Sequence, residues 1–384
     1  MYKKLKIGIV CYPSVGGSGI VATNLGLEMA RLGHEVHFIS YERPFRLNAG
    51  TRNTYFHQVN INKYDLFKYP DYTLPLAVSI EQVQKKHHLD VVHVHYAVPH
   101  ATAALLARRI MRQNNIPLPR IITTLHGTDI TLLARDKNLA DIIKYSIDRS
   151  HCVTAVSQSL KDQTLNLLKP EHAIEVVYNF YTPLAISSSR QSVRRRLGIK
   201  KDDFLAIHLS NLRPVKRIPD LLKIAALMSA EDKKNQRKFK LLILAGDSFA
   251  KYQPLAKKLR LNNLILRENI KDIQNYLYAA DVGVYTSQDE SFGMGMLETM
   301  SYGRPVLATK VGGVPEVLRQ GQDGYLFKVG DTRGFARKLR ELMAQPGLTA
   351  SLGQNAAARA KQDFSAAVIV EKYLALYTKT CEQN

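Results

Sequence analysis

The chain has 384 residues, of which 45% are hydrophobic, and a formal net charge of +21 at pH 7. That length exceeds one ordinary core and points to two domains. No apolar run approaches the roughly 18 residues of a membrane span. The three cysteines, Cys11, Cys152 and Cys381, are odd in number, far apart and form no C-x-x-C, so neither a disulfide framework nor a zinc knuckle is suggested, which fits a reducing cytoplasm.

The opening, Met1-Tyr-Lys-Lys-Leu-Lys-Ile-Gly-Ile-Val, mimics a secretory signal. Its apolar run is short and meets Pro13 and Gly16-Gly17 without a small-residue cleavage site, so it reads as a strand over 5–11. A helix follows from about Ile20 to Leu32, ended by Gly33, and then a strand from Glu35 to Ser40. This βαβ opening implies a doubly wound sheet. Strands are predicted at Leu89–His95, Ile121–Leu125, Cys152–Val156 and Ile174–Tyr178, with helices at Ala101–Arg112 and Leu139–Asp148 and a further helix capped by Ser157. From Asn179 to Lys201 the pattern lapses into a Ser-rich and Arg-rich linker with a short helix. A second series then begins, with strands at Phe204–Leu209, Leu241–Ala245, Leu264–Leu266, Val282–Tyr285 and Val306–Ala308. Helices start near Thr332 and Ala350, and a last one runs from about Ser365 to Thr380. Two α/β halves with a ligand between them is the simplest architecture.

The excess charge suits nucleic acid, an acidic membrane surface or anionic substrates. The runs Arg194-Arg195-Arg196 and Lys233-Lys234 lack interleaved aromatics and match no nucleic-acid module, so no nucleic-acid partner is expected. Solvated surface accounts best for the charge; peripheral membrane contact stays open.

The chemistry concentrates in Gln288–Val317. Glu290 falls on a strand-to-helix loop and Glu298 inside the helix that Gly303-Arg304-Pro305 ends. Eight helical steps cover about 12 Å, more than the roughly 5–9.5 Å between two carboxylates that share one glycosidic bond. The pair therefore suits two parts of one long ligand, or a plain amphipathic helix. Between them a glycine-bearing helix N-terminus favours an anion. After the first strand of the second half, Arg213, Lys216 and Arg217 suit a diphosphate. In the first half, Gly17-x-Gly19-x-x-Ala22 fits the dinucleotide fingerprint, with Glu42 near the ribose-acid position, so an NAD-dependent dehydrogenase is a rival. That reading leaves the second half's motifs unexplained. His93 and His95 share a face of a Val-rich strand with His100 nearby. Without a carboxylate or cysteine they read as core or surface histidines rather than a metal site.

Glu290-Ser-Phe-Gly, Glu298, Gly303-x-Pro305-Val306 and Gly312-Gly313-x-Pro315-Glu316 together resemble the family four retaining glycosyltransferases, with their pair of spaced glutamates. The resemblance implies a GT-B fold: two Rossmann-like domains facing a central cleft. Residues 1–180 would form the acceptor domain, with the terminal helix, 365–384, crossing back onto it, and 181–364 would bind the UDP-sugar. It implies catalytic roles for Glu290, His126, Lys216 and Arg213. Donor contacts would come from Gly17, Asn211, Arg213, Lys216, Glu290, Phe292, Gly293 and Glu298, with Glu298 on the ribose.

The family usually carries Gly-Arg where Ser210-Asn211 stand, and Gly in place of Arg217 and of Glu268. Arg213 is then the substitute guanidinium, and the base-binding loop around Glu268 is open. Segments such as Cys11-Tyr-Pro-Ser-Val-Gly-Gly-Ser-Gly19, Pro44-Phe-Arg-Leu-Asn48, His95-Tyr-Ala-Val-Pro-His100 and Thr123-Thr-Leu-His-Gly-Thr-Asp129 are similar to the members that move N-acetylglucosamine from UDP-N-acetylglucosamine to L-malate in bacillithiol synthesis. On that resemblance Ser18, Arg46, Tyr96, Thr128 and Asn179 would bind the acceptor, Arg46 as a bidentate partner for a carboxylate, with a surface salt bridge as the plainer reading of Arg46. Other acceptors in view are an inositol phosphate, a sugar or a lipid-linked glycan, and the rival from another class is a non-catalytic binding protein of the same fold. No metal or other cofactor is expected, the location is cytoplasmic, and a homodimer is left open.

Overall fold

The structure is a computed structural model that describes residues 3–14, 16–61, 71–229 and 238–382. Lys233-Lys234 lie outside the described residues. The chain divides into two compact units, Met1–Asn179 with Ala366–Asn384, and Phe180–Ser365. No helix among the described residues is long and apolar enough to cross a membrane.

The first unit runs β1 (Lys6–Val10), α1 (Gly17–Arg31), β2 (Glu35–Ser40), β3 (Thr54–Gln58), α2 (Thr73–His87), β4 (Val91–His95), α3 (Thr102–Gln113), β5 (Arg120–Leu125), α4 (Lys137–Asp148), β6 (Cys152–Ala155), α5 (Gln158–Leu168) and β7 (Ile174–Val176). Its described strands pair in parallel in the order β3-β2-β1-β4-β5-β6-β7. Strands such as Val91-Val-His-Val-His95 are buried along their whole length, because helices cover both faces of such a sheet. Ser157 caps α5 by accepting the Leu160 N–H at 3.1 Å.

The second unit continues with α6 (Arg190–Arg196), β8 (Phe204–Ser210), α7 (Ile218–Ser229), β9 (Phe239–Ala245), α8 (Gln253–Lys258), β10 (Leu264–Glu268), α9 (Ile273–Ala279), β11 (Val282–Tyr285), α10 (Met294–Ser301), β12 (Val306–Thr309), α11 (Val314–Val317), β13 (Gly324–Phe327), α12 (Thr332–Ala344) and α13 (Pro346–Phe364). Its sheet order is β10-β9-β8-β11-β12-β13. The last helix, α14 (Ala366–Glu382), belongs to the first unit. There Tyr377 is fully buried and its hydroxyl meets His93 Nδ1 at 2.6 Å.

Several elements differ from the sequence reading. The first helix begins at Gly17 rather than Ile20, so the Gly-Ser-Gly run forms its first turn rather than a loop. Gly19 fits there because a Cβ would come within 2.7 Å of Tyr12 O. Strands β3 and β13 and helix α2 had no sequence assignment, and α13 starts at Pro346, the pre-set first position of a helix, rather than at Ala350. Arg194 corrects the solvated-surface reading of its basic run. It is buried and donates to Asp281 Oδ2 at 3.2 Å and to Ala279 O at 3.1 Å, so Val193 and Arg194 are the inward face of α6 while Arg195 and Arg196 are exposed. The three cysteines are free thiols; Cys11 and Cys152 are buried.

Candidate active site

In a doubly wound sheet, ligands bind at the carboxyl ends of the strands, where the strand order reverses. In the second unit that point lies between β8 and β11. The loop after β8 carries Asn211, Arg213, Lys216 and Arg217, and the loop after β11 carries Glu290. Lys216 Nζ donates to Glu290 Oε2 at 2.5 Å, with both side chains largely buried. The lysine loop is fixed from both sides. Asp247 accepts the Leu212 N–H at 2.7 Å and the Tyr252 hydroxyl donates to Leu212 O at 3.0 Å. Gln288 N donates to Val215 O at 2.7 Å, and the Thr286 hydroxyl donates to Lys216 O at 3.0 Å.

The helix N-terminus beside Glu290 is open. Gly293, in the left-handed region at φ +98, precedes α10, and no side chain caps it. Gly295 in the first turn lets α10 approach β8, since a Cβ there would lie 2.7 Å from Leu209 O. Buried Tyr285 holds that turn, its hydroxyl lying 2.7 Å from Gly295 O and from Thr299 Oγ1. Phe292 is buried edge-on against Phe364, 5.6 Å between centroids. Glu298 is half-buried on α10. Gly313 N donates to Glu290 O at 2.9 Å, and Gly312, at φ +47, leaves no room for a side chain, because a Cβ would lie 2.2 Å from that same oxygen. The double glycine is thus a mould for the Glu290 backbone.

The three departures from the family pattern have local explanations. Arg217 adopts φ +50, ψ +47, a left-handed conformation that glycine takes freely. Its guanidinium does not stand free for a phosphate: Nε donates to Asp220 at 2.6 Å. Glu268 Oε1 accepts the Phe249 N–H at 2.8 Å, which ties the end of β10 to the 247–252 loop. Asn211 is exposed, and its Oδ1 lies where a Cβ on Gly246 would stand. Arg213 is exposed, with no ion-pair partner among the described residues.

In the first unit the strand order reverses between β1 and β4. The uncapped start of α1 supplies Gly17 and Ser18, and the Tyr96 hydroxyl donates to Ser18 Oγ at 2.7 Å. Tyr96 follows β4 at φ +93, an unusual conformation for a tyrosine. His126 follows β5, and its Nε2 lies 2.8 Å from His95 Nδ1. His100 Nδ1 donates in turn to His95 O. Burial drives these rings toward neutrality: His126 to about 3, His100 to about 4, and His95 well below the usual histidine value.

Asp129, fully buried, accepts from Ala97 N at 3.2 Å and Gly127 N at 3.0 Å, and burial raises its pKa to about 6. It pins the loops after β4 and β5 together, a role that sequence reasoning missed. Its only signal was an aspartate closing the His126-Gly-Thr-Asp run. Thr128 is half-buried beside it. Arg46 Nη1 reaches Asn24 Oδ1 on α1 at 3.4 Å, and Asn179, just past β7, is buried with Oδ1 unpartnered among the described residues.

Residues 15–183 match the family described as Glycosyltransferase Family 4, and residues 189–359 match that described as Glycosyl transferases group 1. The N-acetyl-alpha-D-glucosaminyl L-malate synthase of Bacillus anthracis is 40% identical over 379 residues, 97% of this chain and 97% of that one. The chain belongs to the family 4 glycosyltransferases. Two solved structures share the fold of this family 4 enzyme. A glycosyltransferase from Rickettsia africae superposes with a TM-score of 0.81 at 21% identity, covering 100% of both chains. Anabaena HepE, solved in complex with UDP-glucose, superposes with a TM-score of 0.76 at 20% identity, covering 98% of this chain and 100% of that one. As a family 4 glycosyltransferase the chain has the GT-B fold, two parallel-sheet α/β domains, rather than the single dinucleotide domain of a dehydrogenase.

Proposed function

We propose that this glycosyltransferase moves N-acetylglucosamine from UDP-N-acetylglucosamine to the hydroxyl of L-malate with retention of configuration, the first step of bacillithiol synthesis, in the cytoplasm. The observation that carries the reading is the near full-length identity to the malate synthase of Bacillus anthracis. The site chemistry supports it. The second unit offers what a nucleoside diphosphate sugar needs. Lys216 and Arg213 neutralise the diphosphate, the open start of α10 after Phe292 and Gly293 donates N–H groups, Glu298 accepts from the ribose hydroxyls, and Asn211 lines the lysine loop. Glu290, already held by Lys216, fixes the sugar.

The first unit offers donors for a dicarboxylate. These are Ser18 and Tyr96, the N–H groups at the start of α1 around Gly17, Thr128, Asn179 and the Arg46 guanidinium. His126, neutral at pH 7, donates or accepts one hydrogen bond toward the reacting sugar. In the reaction the malate hydroxyl oxygen forms a bond to the anomeric carbon as the bond from that carbon to the β-phosphate oxygen breaks. The hydroxyl proton passes to the departing phosphate oxygen on the same face. The protein positions the partners and stabilises the leaving charge, and these cations do so without a metal.

Purified protein given UDP-N-acetylglucosamine with L-malate, an inositol phosphate or glucosamine in parallel tests the acceptor. A mass adduct on malate, formed fastest there, is the expected result. A faster reaction with another acceptor overturns the malate assignment and leaves the glycosyltransferase intact. UDP release without any adduct, or no release at all, counts against transfer itself.

A further inference from the structure

The first unit holds a second histidine cluster that the transfer reaction does not use. His37 on β2, His57 on β3 and His87 at the end of α2 each offer a ring nitrogen, and the three atoms lie within 4.8 Å of one another. The strand register explains the first two: Ile39 pairs with His57 and His37 with Tyr55, so the histidines are diagonal neighbours on one face. The third arrives because α2 ends over that face, its His87 ring 4.4 Å from His37 and 5.2 Å from His57. The cluster lies by the amino ends of β1 and β2: Lys6 Nζ donates to His87 O at 3.1 Å and stands 3.8 Å from Glu35. The candidate active site occupies the opposite, carboxyl edge of the same sheet.

We propose that His37, His57 and His87 form a binding site for a divalent transition-metal ion of the zinc class, with Glu35 orienting His37. The His37 ring is fully buried, and its Nε2 lies 2.9 Å from Glu35 Oε1. A proton on Nε2 satisfies that carboxylate and leaves the Nδ1 lone pair facing His57 Nε2 at 2.8 Å. This carboxylate–histidine arrangement is what orients an imidazole toward a metal. The His87 Nε2 is buried without a hydrogen-bond partner among the described residues, and a metal would satisfy it.

Stacking alone accounts for the rings and for Tyr55, 4.9 Å from His37, but not for the carboxylate or the orphaned nitrogen. Desolvation holds all three rings below the usual histidine value, His57 down to about 4, so each is the neutral, ligating form at pH 7. Metal–nitrogen bonds of about 2.0–2.1 Å in a tetrahedron set ligand nitrogens about 3.3 Å apart, so the 2.8 Å His37–His57 pair must open slightly and wider separations must close, a modest adjustment of the cluster. His57 on an edge strand and His87 at a helix end can supply it. The fourth position is left to water. Lys6 and Lys86 oppose a cation, but Lys6 is exposed enough to swing into solvent.

Tag-free protein stripped by a chelator, then titrated with zinc by calorimetry and with cobalt(II) by visible absorption, tests the site. One ion per chain, a raised melting temperature and tetrahedral cobalt bands are expected. His57→Asn and His87→Gln should each weaken zinc binding at least about tenfold, and Glu35→Gln somewhat less. An unchanged far-ultraviolet circular-dichroism spectrum of the metal-free protein in all three serves as the folding control. In the wild type, zinc should protect His57 and His87 from diethylpyrocarbonate, a readout that needs no variant. No bound zinc at micromolar concentration, or unchanged labelling of both histidines, overturns the proposal.

Discussion

Where the strand order reverses, the second unit sets Lys216 against Glu290 at 2.5 Å, whereas the first sets His95 against His126 at 2.8 Å. The two sheets repeat one topology, and their switch points solve different electrostatic problems. An ammonium held by a carboxylate suits a charged leaving group. A chain of buried imidazoles presents dipoles and hydrogen bonds, and stays neutral only while burial lasts. The same fold therefore yields one edge whose strength is charge and one whose strength is the exclusion of protons.

The largest expected effect lies on the charged side. Lys216→Ala should lower kcat by about 10²–10³-fold, the scale on which removing one preorganised charge-stabilising group acts. Steady-state UDP release reads it; a loss under threefold would move leaving-group stabilisation to Arg213.

Next comes the division of labour between the glutamates. If Glu298 accepts from the ribose, Glu298→Gln removes a charge-assisted bond worth about 1.5–3 kcal/mol and should weaken UDP binding by calorimetry. Glu290→Gln should mainly lower turnover. Equal UDP affinity in wild type and Glu298→Gln would sink the ribose assignment.

The neutral side should be the more acid-sensitive. In the first unit burial holds His93 and His126 near 3 and His57, His100 and His151 near 4, against only His208 near 4 among the described histidines of the second. Between pH 6.5 and about 4 the unfolded chain therefore binds more protons than the folded one, and stability is lost as the pH drops. Each such group contributes up to about 1.4 kcal/mol per pH unit. Asp129, raised to about 6, works in the opposite direction but is a single carboxyl. Hydrogen exchange at pH 7 and pH 5 should show the first unit losing protection first. Loss led by residues 180–365 would contradict the contrast.

Two smaller tests sharpen it. Arg217→Gly exchanges a left-handed arginine and its bond to Asp220 for an unstrained glycine, so stability should change by no more than about 1 kcal/mol and turnover should stay near wild type. A large loss of turnover would make Arg217 a phosphate ligand after all. Finally, EDTA should leave turnover unchanged; activity abolished by EDTA and restored by a divalent ion would refute catalysis by protein cations alone.

The sequence showed the alternation of strands and helices, and β2 and β11 to the residue, because parallel strands buried on both faces are apolar runs bounded by glycine and caps. It did not show β3, whose residues are partly exposed on the sheet edge and lack an apolar run. The Glu290 and Lys216 segments stood out as motifs, but their ion pair joins residues 74 apart, which no local pattern encodes. Gly312 and Gly313 were visible as a motif, and only the packing revealed that they mould the Glu290 backbone. His37, His57 and His87 left no trace at all, since strand register and the end of α2 assemble them from three separate segments. Arg194 misled because a run of like charges hides which member faces inward.

The return of α14 to the first unit has a consequence for biosynthesis. Residues 180–365 form one uninterrupted stretch, so that unit needs no segment from outside it. The first unit is made first and finished last. Its buried His93 meets Tyr377, and Ile369 and Tyr373 complete the same interior, so the unit waits with an open seam until residues 366–382 have emerged from the ribosome. During that wait the unit made earliest carries the exposed seam, and the arrival of α14 rather than the emergence of its own sheet sets the moment at which it closes.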